Sequence, residues 1–161
     1  MREFTVSAAG QTILGATTLV ALNPIAAPNF GIRLLRAWAA QSQNATSAQQ
    51  RVQIGTQAAV FPTVVGQTPQ KVKRQDPNAS VLVSGVGGAG TAGINASAEG
   101  AGVKTPIIDD AFNVLNGWSW QMTPNEVIEL PAGFAGNLYL FFPVAPTNLA
   151  NWAFGFTYQE F

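Results

Sequence analysis

The residues that could carry chemistry are few, and their types narrow the choice at once. The 161-residue chain has no His and no Cys, which removes histidine-activated nucleophiles, thiolate or imidazole metal sites and disulfides. Carboxylates remain as acid/base candidates, namely the neighbours Asp109 and Asp110 and the pair Glu126 and Glu129. Neighbours on a strand point to opposite faces and residues three apart also diverge, so neither pair is expected to converge on a substrate. Gly85, Gly87 and Gly90 satisfy G-x-G-x-x-G, and Asp109 lies near the spacing of a ribose-binding acid. A phosphate site of that kind needs a helix opening at the third glycine, and Gly93, Gly100, Gly102 and Pro106 forbid one. Sequons at Asn44, Asn78 and Asn95 mark expected exposed loops. The expectation is a protein that is not an enzyme and uses no cofactor or metal.

Aromatic side chains offer a second kind of site. Trp38, Trp118, Trp120 and Trp152 could stack sugars if exposed, or anchor a core or an interface if covered. Trp118 and Trp120, two residues apart on one face, form either a platform or a contact patch. Trp152 begins a regular alternation with Phe154, Phe156 and Tyr158 and reads as core, with Ala153, Gly155, Thr157 and Gln159 on the other face.

The elements that must position these residues are strands. Short β-branched or aromatic runs bounded by Gly, Pro, Asn or Ser occur at 17–22, 32–40, 50–54, 60–65, 80–84, 118–122, 127–130, 138–144 and 152–158. Residues 32–53 could wind but lack a sustained 3.6-residue stripe. The pattern predicts an all-β, single-domain β-sandwich spanning residues 1–161, jelly-roll-like, with an N-terminal extended segment at about 1–16 and a long flexible Gly-rich loop at about 85–105. The apolar stretch 13–22 has the length of a signal-peptide core, with Ala26-Ala27 beyond it. Its threonines and the mixed polar residues before it, with one basic side chain, fit a strand instead. No run approaches a membrane span.

Composition sharpens the surface question. Charged residues are 10% of the chain, against about 25% in ordinary proteins, while hydrophobic residues are 47%. Eight basic and eight acidic side chains cancel, so no basic stripe invites nucleic acid. Residues 1–75 nevertheless carry +6 and residues 76–161 carry −6, a segregation that either interleaves on folding or leaves opposite patches to align subunits. A weakly charged, neutral exterior tends to associate. Two strands also read as apolar on both faces. Leu138, Leu140 and Phe142 oppose Tyr139 and Phe141, and Ile32, Leu34 and Trp38 oppose Leu35, Ala37 and Ala39. The second face must meet either a loop or helix of the same chain or another subunit.

The run Gly31-Ile32-Arg33-Leu34-Leu35-Arg36-Ala37-Trp38, the polar stretch 41–50 leading into Arg51-Val52-Gln53-Ile54, and Asn113-Val114-Leu115-Asn116-Gly117-Trp118 before Leu130-Pro131-Ala132-Gly133 resemble small virion proteins of tailed bacteriophages. The resemblance runs from about Thr17 to the aromatic last strand and contains no catalytic motif. It implies a capsid decoration, or cement, protein that binds the major capsid protein on the outside of the virion head, made in the host cytoplasm. A homotrimer is expected, with no nucleic acid or membrane as partner. Trp118, Trp120, Tyr139 and Phe141 are the expected interface anchors, and Arg33, Arg36 and Arg51 the expected capsid contacts. The alternative is a carbohydrate-binding or receptor-binding module of a fibre or tail, in which a glycan would be bound.

Overall fold

The structure, a computed structural model, describes residues 1–24, 30–43, 46–58, 61–79 and 82–161. Ala26-Ala27, Asn44 of the first sequon, Val60 at the start of one expected strand and residues 80–81 of another lie outside the described residues. Among the described residues the chain is all strand and turn. In order these are β1 (Arg2–Gln11), β2 (Thr17–Asn23), β3 (Ile32–Gln41), β4 (Gln49–Ala58), β5 (Thr63–Gly66), β6 (Gln70–Lys71), β7 (Val83–Ser84), β8 (Thr91–Ala98), β9 (Lys104–Asn113), β10 (Trp118–Gln121), β11 (Ile128–Leu130), β12 (Gly136–Phe142) and β13 (Trp152–Glu160).

Two sheets pack as a sandwich. The first runs β10-β3-β13-β1-β6, with β11 following β10 along the free side of β3. The second runs β5-β8-β2-β12-β4-β9, with β7 paired in parallel to β8. Four antiparallel pairs nest in the sequence: β2 with β12, β3 with β10 and β11, β4 with β9, and β5 with β8. The expected jelly roll is a double sheet of eight strands built from two Greek keys. The sheets depart from that scheme because β8 joins β2, while β13, β1 and β6 extend the first sheet on the far side of β3.

The core lies where the alternation of β13 places it. Trp152, Phe154, Phe156 and Tyr158 are all fully buried. Ala39 and Ala37 of β3 stand directly across from Phe154 and Phe156, so small residues make room for large ones within one layer. The second sheet supplies Val20, Leu22, Val52, Ile54, Leu138, Leu140 and Phe142 from the facing side.

The N-terminal extended segment holds β1, which lies between β13 and β6 with Phe4 and Val6 fully buried. Two expectations are corrected. The Gly-rich stretch is not one flexible loop, since β8 is hydrogen-bonded between β2 and β5 and buries Ala92, Gly93, Ile94 and Ala96. Glycine there serves a close approach: a Cβ on Gly93 would collide with the Val64 side chain and lie 2.9 Å from the Val65 carbonyl oxygen. The second correction concerns β3. The register between β3 and β13 skips Leu35, with Thr157 opposite Arg36 and Tyr158 opposite Leu34. This bulge shifts the alternation by one residue, so Ile32, Leu34, Ala37 and Ala39 all face the core and Trp38 faces out.

Candidate functional site

The residues expected to form a surface patch are distributed over three different places. Trp118 and Trp120 stand opposite Ala39 and Ala37 on the inner side of the first sheet and pack against the core. Trp118 Nε1 donates a 3.0 Å hydrogen bond to Asp110 Oδ2 on β9, the edge of the second sheet. The two indoles therefore close one edge of the sandwich and are not an outward platform. Trp152 is buried at the end of the core, and only Trp38 of the four lies on an outer face. Its indole lies over Gly155, with the Arg36 guanidinium 5.3 Å from its ring centre. A shallow groove of about 240 Å³ runs beside it, past Asn116, Gly117 and Ser119.

Tyr139 and Phe141 do face away from the core, as the alternation of β12 requires, but the chain covers them itself. Glu99 and its successors fold across the outer face of the second sheet. The Glu99 carboxylate accepts from Thr18 N (2.6 Å), Thr18 Oγ1 (2.5 Å) and Lys104 Nζ (2.9 Å). Gln57 Nε2 donates to the carbonyls of Glu99 (2.9 Å) and Gly102 (3.0 Å), and Asn137 Nδ2 donates to Gln57 Oε1 (3.1 Å). Pinned in this way, Lys104 holds its ammonium 4.8 Å from the Phe141 ring centre and 5.6 Å from that of Tyr139. Beneath, Gly55 lets the Tyr139 ring settle onto the sheet, since a Cβ there would lie 2.5 Å from Tyr139 Oη. Tyr139 is fully buried and Phe141 half-buried. Of the two covers anticipated for this face, a loop of the same chain is the one present, and these aromatics are not free anchors.

Burial leaves a chemical mark on both tyrosines. Desolvation, reinforced by the Asp109 charge, pushes the Tyr139 phenol from its ordinary 10.0 up to about 12. Desolvation raises Tyr158 further still, with the Glu160 charge adding to it and Arg2 opposing it. These are the only two tyrosines in the chain, which makes the effect directly readable. The folded protein is expected to show little tyrosinate absorbance near 295 nm as pH passes 10, whereas denatured chain titrates there. Because both folded values lie above the unfolded one, the stability tied to neutral phenols is complete below pH 10 and declines as pH rises through 12. Half-titration of either tyrosine at pH 10 in folded protein would contradict this placement.

The expected arginine contacts share no surface. Arg33 and Arg36 lie on the outer face of the first sheet, while Arg51 lies on the outer face of the second. Two of the three are engaged within the chain. Arg33 pairs with Glu129 and sits 5.0 Å from the Phe161 ring centre, and Arg51 Nη2 meets Asp109 Oδ2 at 2.7 Å. With Arg2–Glu160 (2.9 Å) these pairs join the basic half of the sequence to the acidic half. Two further pairs, Lys73–Glu3 and Lys104–Glu99, form within halves. The +6 and −6 halves therefore interleave. Among the described residues five basic and five acidic side chains are taken up in ion pairs, leaving Arg36, Lys71, Arg74, Asp76, Asp110 and Glu126 outside them.

No family model, curated protein or solved structure matches the chain. Asp109 and Asp110 diverge as expected, one to Arg51 and Gln53 on the outer face and the other to Trp118 at the edge. The glycines at 85, 87 and 90 lie in the turn between β7 and β8 with no helix after them. Among the described residues no group of three or more acidic side chains is placed to hold a metal ion, and no helix is long and apolar enough to cross a membrane. Asn95, expected on a loop, lies in β8 and donates to the Thr12 carbonyl. Sequence reasoning missed the opposite edge of the sandwich. There β6 of the first sheet and β7 of the second bound a cavity of about 670 Å³. Its signal was the short basic run Lys71 to Arg74, which entered only the charge count.

Proposed function

We propose that the chain is a non-enzymatic structural protein of a virion: a decoration protein that binds the outer surface of a phage head as a homotrimer and cements it. One observation carries this reading. The accessible surface of 7434 Å² is near the about 7,700 Å² of a compact chain of this mass, yet among the described residues only three basic and three acidic side chains stand outside ion pairs. So sparse a charge shell gives little resistance to association, and it suits a protein that spends its life against other protein. The resemblance to tailed-phage virion proteins supports the same reading.

With Tyr139 and Phe141 covered, the contact moves to the free edge of the second sheet. Along it Val103, Ile107 and Leu115 are at least half exposed. Pro106 and the bulge at Ile107 guard this edge against open-ended strand pairing, so the contact is made by side chains and closes into a ring. Function follows mechanically: each subunit buries area across joints between coat proteins, and three linked copies multiply weak contacts through effective concentration.

Solution mass measurement followed by mixing with empty heads tests the reading. A trimer that sediments with heads and raises their disruption temperature is expected, and Ile107→Glu with Val103→Glu should release monomers. A monomer that ignores heads would overturn the proposal; a trimer untouched by both substitutions would overturn the assigned edge. A second reading, saccharide binding, is favoured by Trp38 alone, whose indole lies on a flat polar sheet face with Ser7 and Ser119 in register beside it. Glycan binding lost in Trp38→Ala would support it.

A further inference from the structure

We infer that the cavity at the open edge of the sandwich is a binding site for an oxyanion carried on a small hydroxylated molecule, such as an acidic sugar. Its two walls come from different sheets. Lys71 stands opposite Phe4 on the interior-facing side of β6, and Ser84 stands opposite Ala92 on the interior-facing side of β7. Phe4 and Ala92 are fully buried, so both side chains aim into the space between the sheets, where no further strand among the described residues closes the edge.

Arg74 reaches the same space from the turn closed by Asp76 N to the Lys73 carbonyl. Thr68 and Asn78 add neutral hydrogen-bonding groups, and Leu82, buried in the core, forms part of the lining. The volume, about 670 Å³, lies within the range of small-ligand sites. No carboxylate lines the cavity among the described residues, and neither Lys71 nor Arg74 joins an ion pair.

That combination sets the ligand class. Two uncompensated cations sharing one recess repel each other, and an anion between them turns that repulsion into attraction. The planar fork of Arg74 suits two oxygens of a carboxylate or phosphate, and Lys71 adds a point charge. Hydroxyl and amide groups of Thr68, Gln70, Asn78 and Ser84, interspersed with apolar Pro69, Ala79, Leu82 and Val83, suit a hydroxylated body with a carbon frame. Among the described residues the lining has no aromatic ring for stacking, so charge, not the ring face, must select the ligand.

Titration calorimetry with glucuronate, glucose 6-phosphate, inorganic phosphate and glucose tests this on the intact protein. At least one of the two charged sugars is expected to bind more tightly than inorganic phosphate, glucose not at all, and the affinity should fall as salt rises. Whether glucuronate or glucose 6-phosphate binds tighter distinguishes a carboxylate from a phosphate source. Arg74→Gln and Lys71→Gln should each weaken binding about tenfold. Both side chains are exposed, so thermal unfolding should be unchanged, which separates lost binding from lost fold. Silence from both charged sugars at millimolar concentration, inorganic phosphate binding as tightly as either, equal binding by glucose, or full binding by the double variant would each overturn the site. The variants should still bind heads, so this test and that of the decoration role fail independently.

Discussion

Trp152→Ala is expected to destabilise the protein by about 4 kcal/mol, the range of large aromatic truncations in packed cores. Trp152 begins β13 in the first sheet, yet its ring packs edge-on to Phe142 at 4.8 Å and to Phe112 at 6.4 Å, both from the second sheet. Its Nε1 donates to the Asn148 carbonyl at 2.9 Å. The same carbonyl accepts from Gln41 Nε2, so the truncation orphans no acceptor and the loss is chiefly packing. Removing the indole opens a void where three aromatic rings meet across the two layers, and neighbours held by sheet hydrogen bonds can fill little of it. Against a typical total of about 5–15 kcal/mol, urea unfolding would register the change plainly. A loss under about 1 kcal/mol would mean that this end of the sandwich collapses around the gap.

The second large effect is expected at the other end of β13. Arg2→Met should cost about 3 kcal/mol because it removes the guanidinium paired with the Glu160 carboxylate, whose side chain is fully buried. Arg2 and Glu160 are register partners in the β1–β13 pair, so the backbone already sets their side chains side by side. The guanidinium also lies 4.8 Å from the Phe30 ring centre. Combining Arg2→Met with Glu160→Leu should recover most of the loss, since a buried pair replaced by apolar groups is often neutral. The non-additivity of that cycle is the measurement. If Arg2→Met alone costs no more than a few tenths of a kcal/mol, the pair behaves like a solvent-exposed one.

Local pattern carried the sequence reading furthest where a strand keeps strict alternation. The aromatic face of β13 and the inward side of β12 were legible for that reason. The same rule misled on β3, because one bulged residue, Leu35, reverses the phase and nothing in 32–40 announces it. Glycine misled in the other direction. A run rich in Gly reads as loop by composition, but β8 uses Gly93 for close contact with Val64 and is held by strands far away in sequence. The cavity between β6 and β7 left only its basic run at 71–74 in the sequence, since its basic wall and its hydroxyl wall meet only when two sheets stack.

The sequence by itself determined the class of molecule: all-β, without histidine or thiol chemistry, sparsely charged, with an aromatic face on its last strand. Those properties depend on residue type and on period-two spacing, which one strand expresses alone. Tertiary structure decided which apolar faces are free and which charges remain. Tyr139 and Phe141 are covered because Glu99 is drawn to Thr18 and Lys104 across the sheet, and the opposed charge halves cancel because β1, β3 and β4 pair with strands from the other half. Coverage and neutralisation are relations between distant segments, and pairing of strands is what brings those segments together.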